Sequence, residues 1–121
     1  MCGIAGWVDW SRDLSAERSI LTRMTERLTA RGPDARGEWV SPHAALGHRR
    51  LSIIDLTTNA AQPMVMQRDG RTWVVVYNGE IYNHRELRHE LETRGHAFRS
   101  SSDTEVLLHA YVEWGDACVD R

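Results

Sequence analysis

The chain has 121 residues, 41% of them hydrophobic and 26% charged, with a formal charge of −2 at pH 7. This is the make-up of one globular domain. No apolar run approaches the ~18–20 residues of a membrane span, the first residues lack the basic and apolar stretches of a secretory signal, and the mild acidity argues against a nucleic-acid partner. All 15 basic residues are arginine, which excludes Schiff-base and P-loop lysine chemistry within the chain.

The opening Gly3-Ile4-Ala5-Gly6-Trp7-Val8 reads as a buried strand whose glycines allow close backbone approach. From Ser15 to Arg31 the period turns helical: Ile20, Leu21, Met24 and Leu28 share a face, and Arg18, Glu26 and Arg27 stay wet. Arg31-Gly32-Pro33-Asp34 ends that helix in a loop. Glu38-Trp39-Val40 and Ala45-Leu46-Gly47-His48 suit a pair of short strands, and Leu51-Ser52-Ile53-Ile54 another extended segment. Thr57 to Pro63 reads as a loop. Asp69-Gly70 signals a hairpin, followed by the strongest strand, Thr72 to Tyr77, whose unbroken apolar run suggests burial on both faces. Asn83 can cap a helix, with Glu86 completing a capping box, Tyr82 stapling onto Leu87 and Gly95 ending it. A short Ala97-Phe98-Arg99 strand is expected next. Ser102 and Glu105 then form a second capping box on a helix carrying Val106, Leu107, Ala110, Tyr111 and Trp114 before Gly115. The expected class is α+β, in one domain without repeats or linkers. Cys118-Val119-Asp120-Arg121 follows a helix with no strand to close the sheet, as in a chain cut short.

Cys2 and Cys118 are the two cysteines. A disulfide between them is a weak reading, since disulfide-dependent domains are usually smaller, secreted and richer in cysteine. Neither sits in a Cys-x-x-Cys pair and the six histidines show no zinc spacing, so no metal site is expected. A reduced, cytoplasmic setting and a structural role for Cys118 fit best.

Four features carry possible chemistry. Cys2 follows Met1, and a small residue there permits removal of the methionine. The exposed α-amine, with a pKa near ~7.7–8.0, could then take the thiol proton; the plain alternative is chance. Asn78-Gly79 is either a hairpin turn or an oxyanion hole made by the Asn78 amide and the Gly79 N–H, such a donor contributing ~2.7–4 kcal/mol. Arg49 and Arg50, adjacent on a strand, point to opposite faces, so one at most clamps a carboxylate in a given site; a solvated pair is the commoner case. Glu80 and Asp103 are candidates for an ammonium group, although Asp103 in a first helical turn also has a structural explanation.

Taken in order, Met1 to Gly6, Arg31-Gly32-Pro33-Asp34, His48-Arg49-Arg50-Leu51-Ser52-Ile53-Ile54-Asp55-Leu56, Gln62-Pro63-Met64, Tyr77-Asn78-Gly79-Glu80-Ile81-Tyr82-Asn83-His84 and Ser101 to Leu107 resemble the glutamine-hydrolysing asparagine synthetases. The match covers essentially the whole chain. Related amidotransferases share the N-terminal cysteine and Asn-Gly but do not usually combine all these motifs. The resemblance implies an N-terminal-nucleophile hydrolase fold, an αββα sandwich of two antiparallel sheets between helices. It implies that Cys2 attacks the side-chain amide of L-glutamine, that Asn78 and Gly79 hold the oxyanion, and that water releases glutamate from a thioester. Arg50 would clamp the α-carboxylate, Leu51, Ser52, Ile53 and Ile54 would line the pocket, and Glu80 and Asp103 would recognise the polar end of glutamine, Asp103 favoured for the α-ammonium. No cofactor is implied at this site. The family's glutaminase domain runs past residue 121, and its synthetase domain, for which the resemblance implies ATP and Mg, is absent from this sequence; a homodimer is a further expectation for the full-length enzyme. An inactive glutamine-binding fragment, or a domain serving another carboxylate acceptor, are the alternatives. Neither nucleic acid nor membrane is expected as a partner.

Overall fold

A computed structural model describes residues 1–51 and 58–121. Helix and sheet are mixed in an α+β arrangement with two small antiparallel sheets. The described residues fall into two units. The first gathers 1–51, 61–63 and 76–78; the second gathers 58–60, 64–75 and 79–121.

In the first unit three strands, β1 (Gly3–Val8), β2 (Ala35–Val40) and β3 (Ala44–Arg50), pair antiparallel in the order β1-β3-β2. The strands are longer than the apolar residues alone foretell, because Ala35-Arg36-Gly37 and Arg49-Arg50 also find ladder partners. Between Ser15 and Arg31 the regular helix α1 is only Arg18–Glu26, preceded by a 3-10 turn at Leu14–Glu17. It covers one sheet face. Leu14, Leu21 and Ala45 are buried together, with Trp7 and Val40 packed against them, and each fully buried leucine contributes about 1.5–3 kcal/mol. Opposite Gly47 the helix comes so close that a Cβ there would collide with the Thr25 hydroxyl. Thr22 Oγ1 donates to Glu38 on β2 at 2.9 Å.

In the second unit β4 (Met64–Arg68) and β5 (Arg71–Val75) form the expected hairpin, with Asp69 and Gly70 both at positive φ (53° and 73°) as a two-residue turn requires. The strong run ends as a strand at Val75, two residues before Tyr77, and Trp73 to Tyr77 are half-buried rather than buried on both faces. Helix α2 (His84–Thr93) ends at Gly95 (φ 91°), where Gly95 N–H bonds Glu92 O and His96 N–H bonds Leu91 O, a Schellman ending. Its start differs from expectation. Asn83 makes no side-chain cap, and its amide nitrogen donates to the Arg121 carbonyl at 2.9 Å. Tyr82, 87% exposed, staples onto nothing.

Helix α3 (Asp103–Trp114) packs Val106 and Ala110 with Leu91, against which Leu87, Phe98, Trp114 and Cys118 rest. Leu108 and His109 are buried, whereas Leu107 is half-buried and Tyr111 exposed, so the buried side is broader than its apolar period foretells. Ser102 caps through the Thr104 N–H at 3.2 Å, and Glu105 reaches back past it, accepting from the Arg99 and Ser100 N–H groups (both 2.8 Å) and the Ser100 hydroxyl. Ala97-Phe98-Arg99, expected as a short strand, is not one.

Beneath this segment lies a polar cluster. His96 Nε2–H donates to Glu113 at 2.7 Å, and its Nδ1 lies 2.8 Å from His109 Nδ1 and 3.1 Å from an Arg68 guanidinium nitrogen. Burial, with His96 and Arg68 adding to it and Glu105 opposing, lowers the His109 pKa to about 4. Its folded value thus lies below the unfolded ~6.5. The unfolded chain therefore binds the extra proton first, and stability falls as pH drops from 6.5 towards 4. The expected loss is up to about 3 kcal/mol. Urea unfolding of the parent and of His109→Gln between pH 7.5 and 4.5 checks this: the parent should show the steeper acid slope, and equal slopes would refute it.

Candidate active site

The first unit holds Cys2, Arg50, Leu51 and Asn78; the second holds Gly79, Glu80 and Asp103. Ser52, Ile53 and Ile54, with Asp55, Leu56 and Thr57, lie outside the described residues.

Cys2 stands just before β1, half-buried. Its thiol meets both backbone groups of Leu51: Sγ accepts the Leu51 N–H at 3.2 Å and donates to the Leu51 carbonyl at 3.4 Å. The register explains the meeting. Gly3 pairs with Arg49, so the residue before β1 comes alongside the residues that follow β3, 49 positions away in sequence. Arg31 Nε donates to the Cys2 carbonyl at 3.3 Å, tying the strand's start to the turn after α1.

The two arginines divide as strand geometry requires. Arg49 is on the α1 side, where its Nε donates to the Gly32 carbonyl at 3.0 Å, and Arg50 is on the opposite face with His48. The Arg50 carbonyl accepts the Asp34 N–H at 2.9 Å.

Asn78 and Gly79 are exposed and do not turn a hairpin, because β5 ends at Val75 and the chain enters α2 at His84. Immediately before them, Tyr77 is held by two residues that sequence reasoning missed. Gln62 Oε1 accepts its N–H at 2.6 Å, and His48 Nε2 lies 3.3 Å from its carbonyl. Burial lowers the His48 pKa and Arg50 adds to this, against the opposing bond to Tyr77. Glu80 is exposed. Asp103 is buried at the first turn of α3, and its Oδ2 accepts the Ile81 N–H at 2.9 Å, so one carboxylate oxygen anchors the segment after Glu80. Among the described residues no group of three or more His, Cys, Asp or Glu side chains is arranged to hold a metal ion.

A family model described as "Glutamine amidotransferase domain" matches residues 1–121. The chain belongs to this family. As an amidotransferase domain it is 48% identical over 121 residues to asparagine synthetase [glutamine-hydrolyzing] 3 of Bacillus subtilis, covering all of this chain and 20% of that protein. It is 40% identical over 123 residues to asparagine synthetase [glutamine-hydrolyzing] 1 of the same organism, and 42% identical over 120 residues to asparagine synthetase [glutamine-hydrolyzing] 1 of Arabidopsis thaliana. The amidotransferase domain thus spans about a fifth of the length of these relatives. No helix among its described residues is long and apolar enough to cross a membrane.

Proposed function

We propose that this amidotransferase domain hydrolyses L-glutamine to L-glutamate and ammonia through a thioester on Cys2. The observation that carries the reading is the seating of Cys2 Sγ on the Leu51 peptide, at the head of the segment that the family resemblance assigns to the glutamine pocket. The thiol attacks the side-chain amide carbon. With Met1 removed, the freed amine of Cys2 takes the thiol proton and passes it to the departing ammonia, and water then cleaves the thioester. The Asn78 amide and Gly79 N–H stabilise the oxyanion. Arg50 clamps the α-carboxylate, Asp103 with Glu80 receives the α-ammonium, and Leu51, Ser52, Ile53 and Ile54 line the pocket. The Asp103 oxygen not bonded to Ile81 is the one assigned to the ligand.

The fold we assign is the N-terminal-nucleophile hydrolase sandwich, with residues 1–121 as part of the glutaminase domain. A synthetase domain, using ATP and Mg, then amidates aspartate to asparagine in a full-length, homodimeric cytoplasmic enzyme. No residue of this chain is assigned to ATP or Mg.

Intact mass with an ammonia-release assay tests the glutaminase reading, on this chain and on a C-terminally extended version. The expected result is loss of Met1 together with glutamine-dependent ammonia. Silence from both versions with Met1 gone would refute it.

A further inference from the structure

Tyr77 lies two residues beyond the end of β5, and two side chains bond its backbone groups. Its N–H is bonded by Gln62 Oε1 at 2.6 Å and its carbonyl by His48 Nε2 at 3.3 Å. A carbonyl only accepts, so Nε2 of His48 carries the proton. His48 is 1% exposed and stands on β3 directly across from Gly37 of β2. A Cβ at Gly37 would collide with the Gln62 carbonyl. The absence of a side chain there is what lets Gln62 lie against β2 and reach Tyr77. His48 and Gln62, far apart in sequence, thus converge on the backbone of Tyr77, the residue preceding Asn78.

We propose that His48 and Gln62 are positioning residues of the glutaminase reaction, fixing the Tyr77 peptide so that Asn78 presents its amide to the oxyanion, with Gly37 supplying the space. The inference rests on the reading of Asn78 as an oxyanion donor. Asn78 itself is exposed, so its aim depends on the backbone that leads to it. A donor of this kind is worth roughly 100- to 1,000-fold in kcat, and a misplacement of about 1 Å costs about 100-fold.

The test compares His48→Leu, Gln62→Leu, His48→Gln and the Leu/Leu double variant in the full-length protein, with kcat and KM for glutamine hydrolysis and thermal unfolding measured for each. Each single leucine variant should lose about 10- to 100-fold in kcat with KM within about 3-fold of the parent. His48→Gln, whose amide can still donate to the Tyr77 carbonyl, should recover most of the loss. The double variant should be little worse than the poorer single one, because both groups hold the backbone of the same residue. If His48→Leu does not fold, Gln62→Leu, at a half-buried position, decides. Parental kcat in Gln62→Leu would overturn the proposal, as would losses that multiply in the double variant. A parent protein that releases no ammonia would instead overturn the glutaminase reading on which the proposal stands.

Discussion

Replacing Cys2 by alanine is expected to cut glutamine-dependent ammonia release by at least about a thousand-fold while leaving glutamine affinity within about 3-fold, as follows when a nucleophile is removed from an otherwise intact site. The structure makes this a clean experiment. Cys2 is half-buried at the end of a strand, and its sulfur touches the Leu51 peptide without being part of the cluster of Leu14, Leu21 and Ala45. Losing those two sulfur contacts should cost no more than about 1 kcal/mol of stability. Alanine is also small enough to permit Met1 removal, so the variant keeps its free α-amine. Isothermal titration with glutamine reports binding, and a coupled ammonia assay reports hydrolysis. Substantial hydrolysis in Cys2→Ala would remove the thioester mechanism altogether. Loss of both binding and hydrolysis, with the fold intact, would place Cys2 in recognition rather than in bond breaking.

Glu105→Ala is expected to destabilise the protein by about 3–5 kcal/mol, the range for breaking a buried charged network. The carboxylate, 4% exposed, accepts from two backbone N–H groups and one hydroxyl in Arg99 and Ser100. Alanine would strand those donors and open a gap beside His109. Glu105→Gln keeps an acceptor but places an NH2 where one of the N–H donors now points, so an intermediate loss is expected. Denaturant unfolding measures both, and a cost below about 1 kcal/mol for the alanine variant would show that the 97–102 segment is held by other means. The same variants bear on function. Ser100 to Ser102 lead directly into Asp103, whose carboxylate fixes Ile81, so on the proposed reading KM for glutamine should rise in the folded fraction of Glu105→Gln.

Much of the fold was legible wherever the determinant was local. Asp69-Gly70 turned the hairpin because its two positive φ values are tolerated by few residue pairs, and Gly95 ended α2 for the same conformational reason. Readings failed where the expected local pattern left out a polar group's partner. The Asn83 amide went to Arg121, 38 residues on, rather than to its own helix. The Arg99 N–H went to Glu105, and the short strand expected there is not one. The α3 apolar period hid the burial of His109, because its imidazole finds a partner in His96, 13 residues back and outside the helix.

The site divides along the same line. Alternation along β3 was enough to separate Arg49 from Arg50, and the order of the motifs was enough to anticipate the family. The meeting of Cys2 with Leu51, and the holding of Tyr77 by His48 and Gln62, depend on strand register and loop return across 49, 29 and 15 residues. His48 stands in the motif beside Arg49 and offers no signal that separates it from an ordinary core histidine. Gln62 sits in a stretch that reads as a plain loop.

The central place of β3 carries a consequence for how this chain can vary. It is bonded to β1 on one edge and β2 on the other, so neither side has slack to absorb a shift. Deleting or inserting a single residue between Ala44 and Arg49 would either break both ladders or slide the strand's remainder by one position. A slide exchanges the two arginines between faces, turning Arg50 in to where Gly32 now receives Arg49 and sending Arg49 to the other side. Homologous sequences should therefore tolerate length changes at the turn of Ser41 to His43 or at the tip of Asp69-Gly70, and keep a gap-free alignment from Ala44 to Arg50.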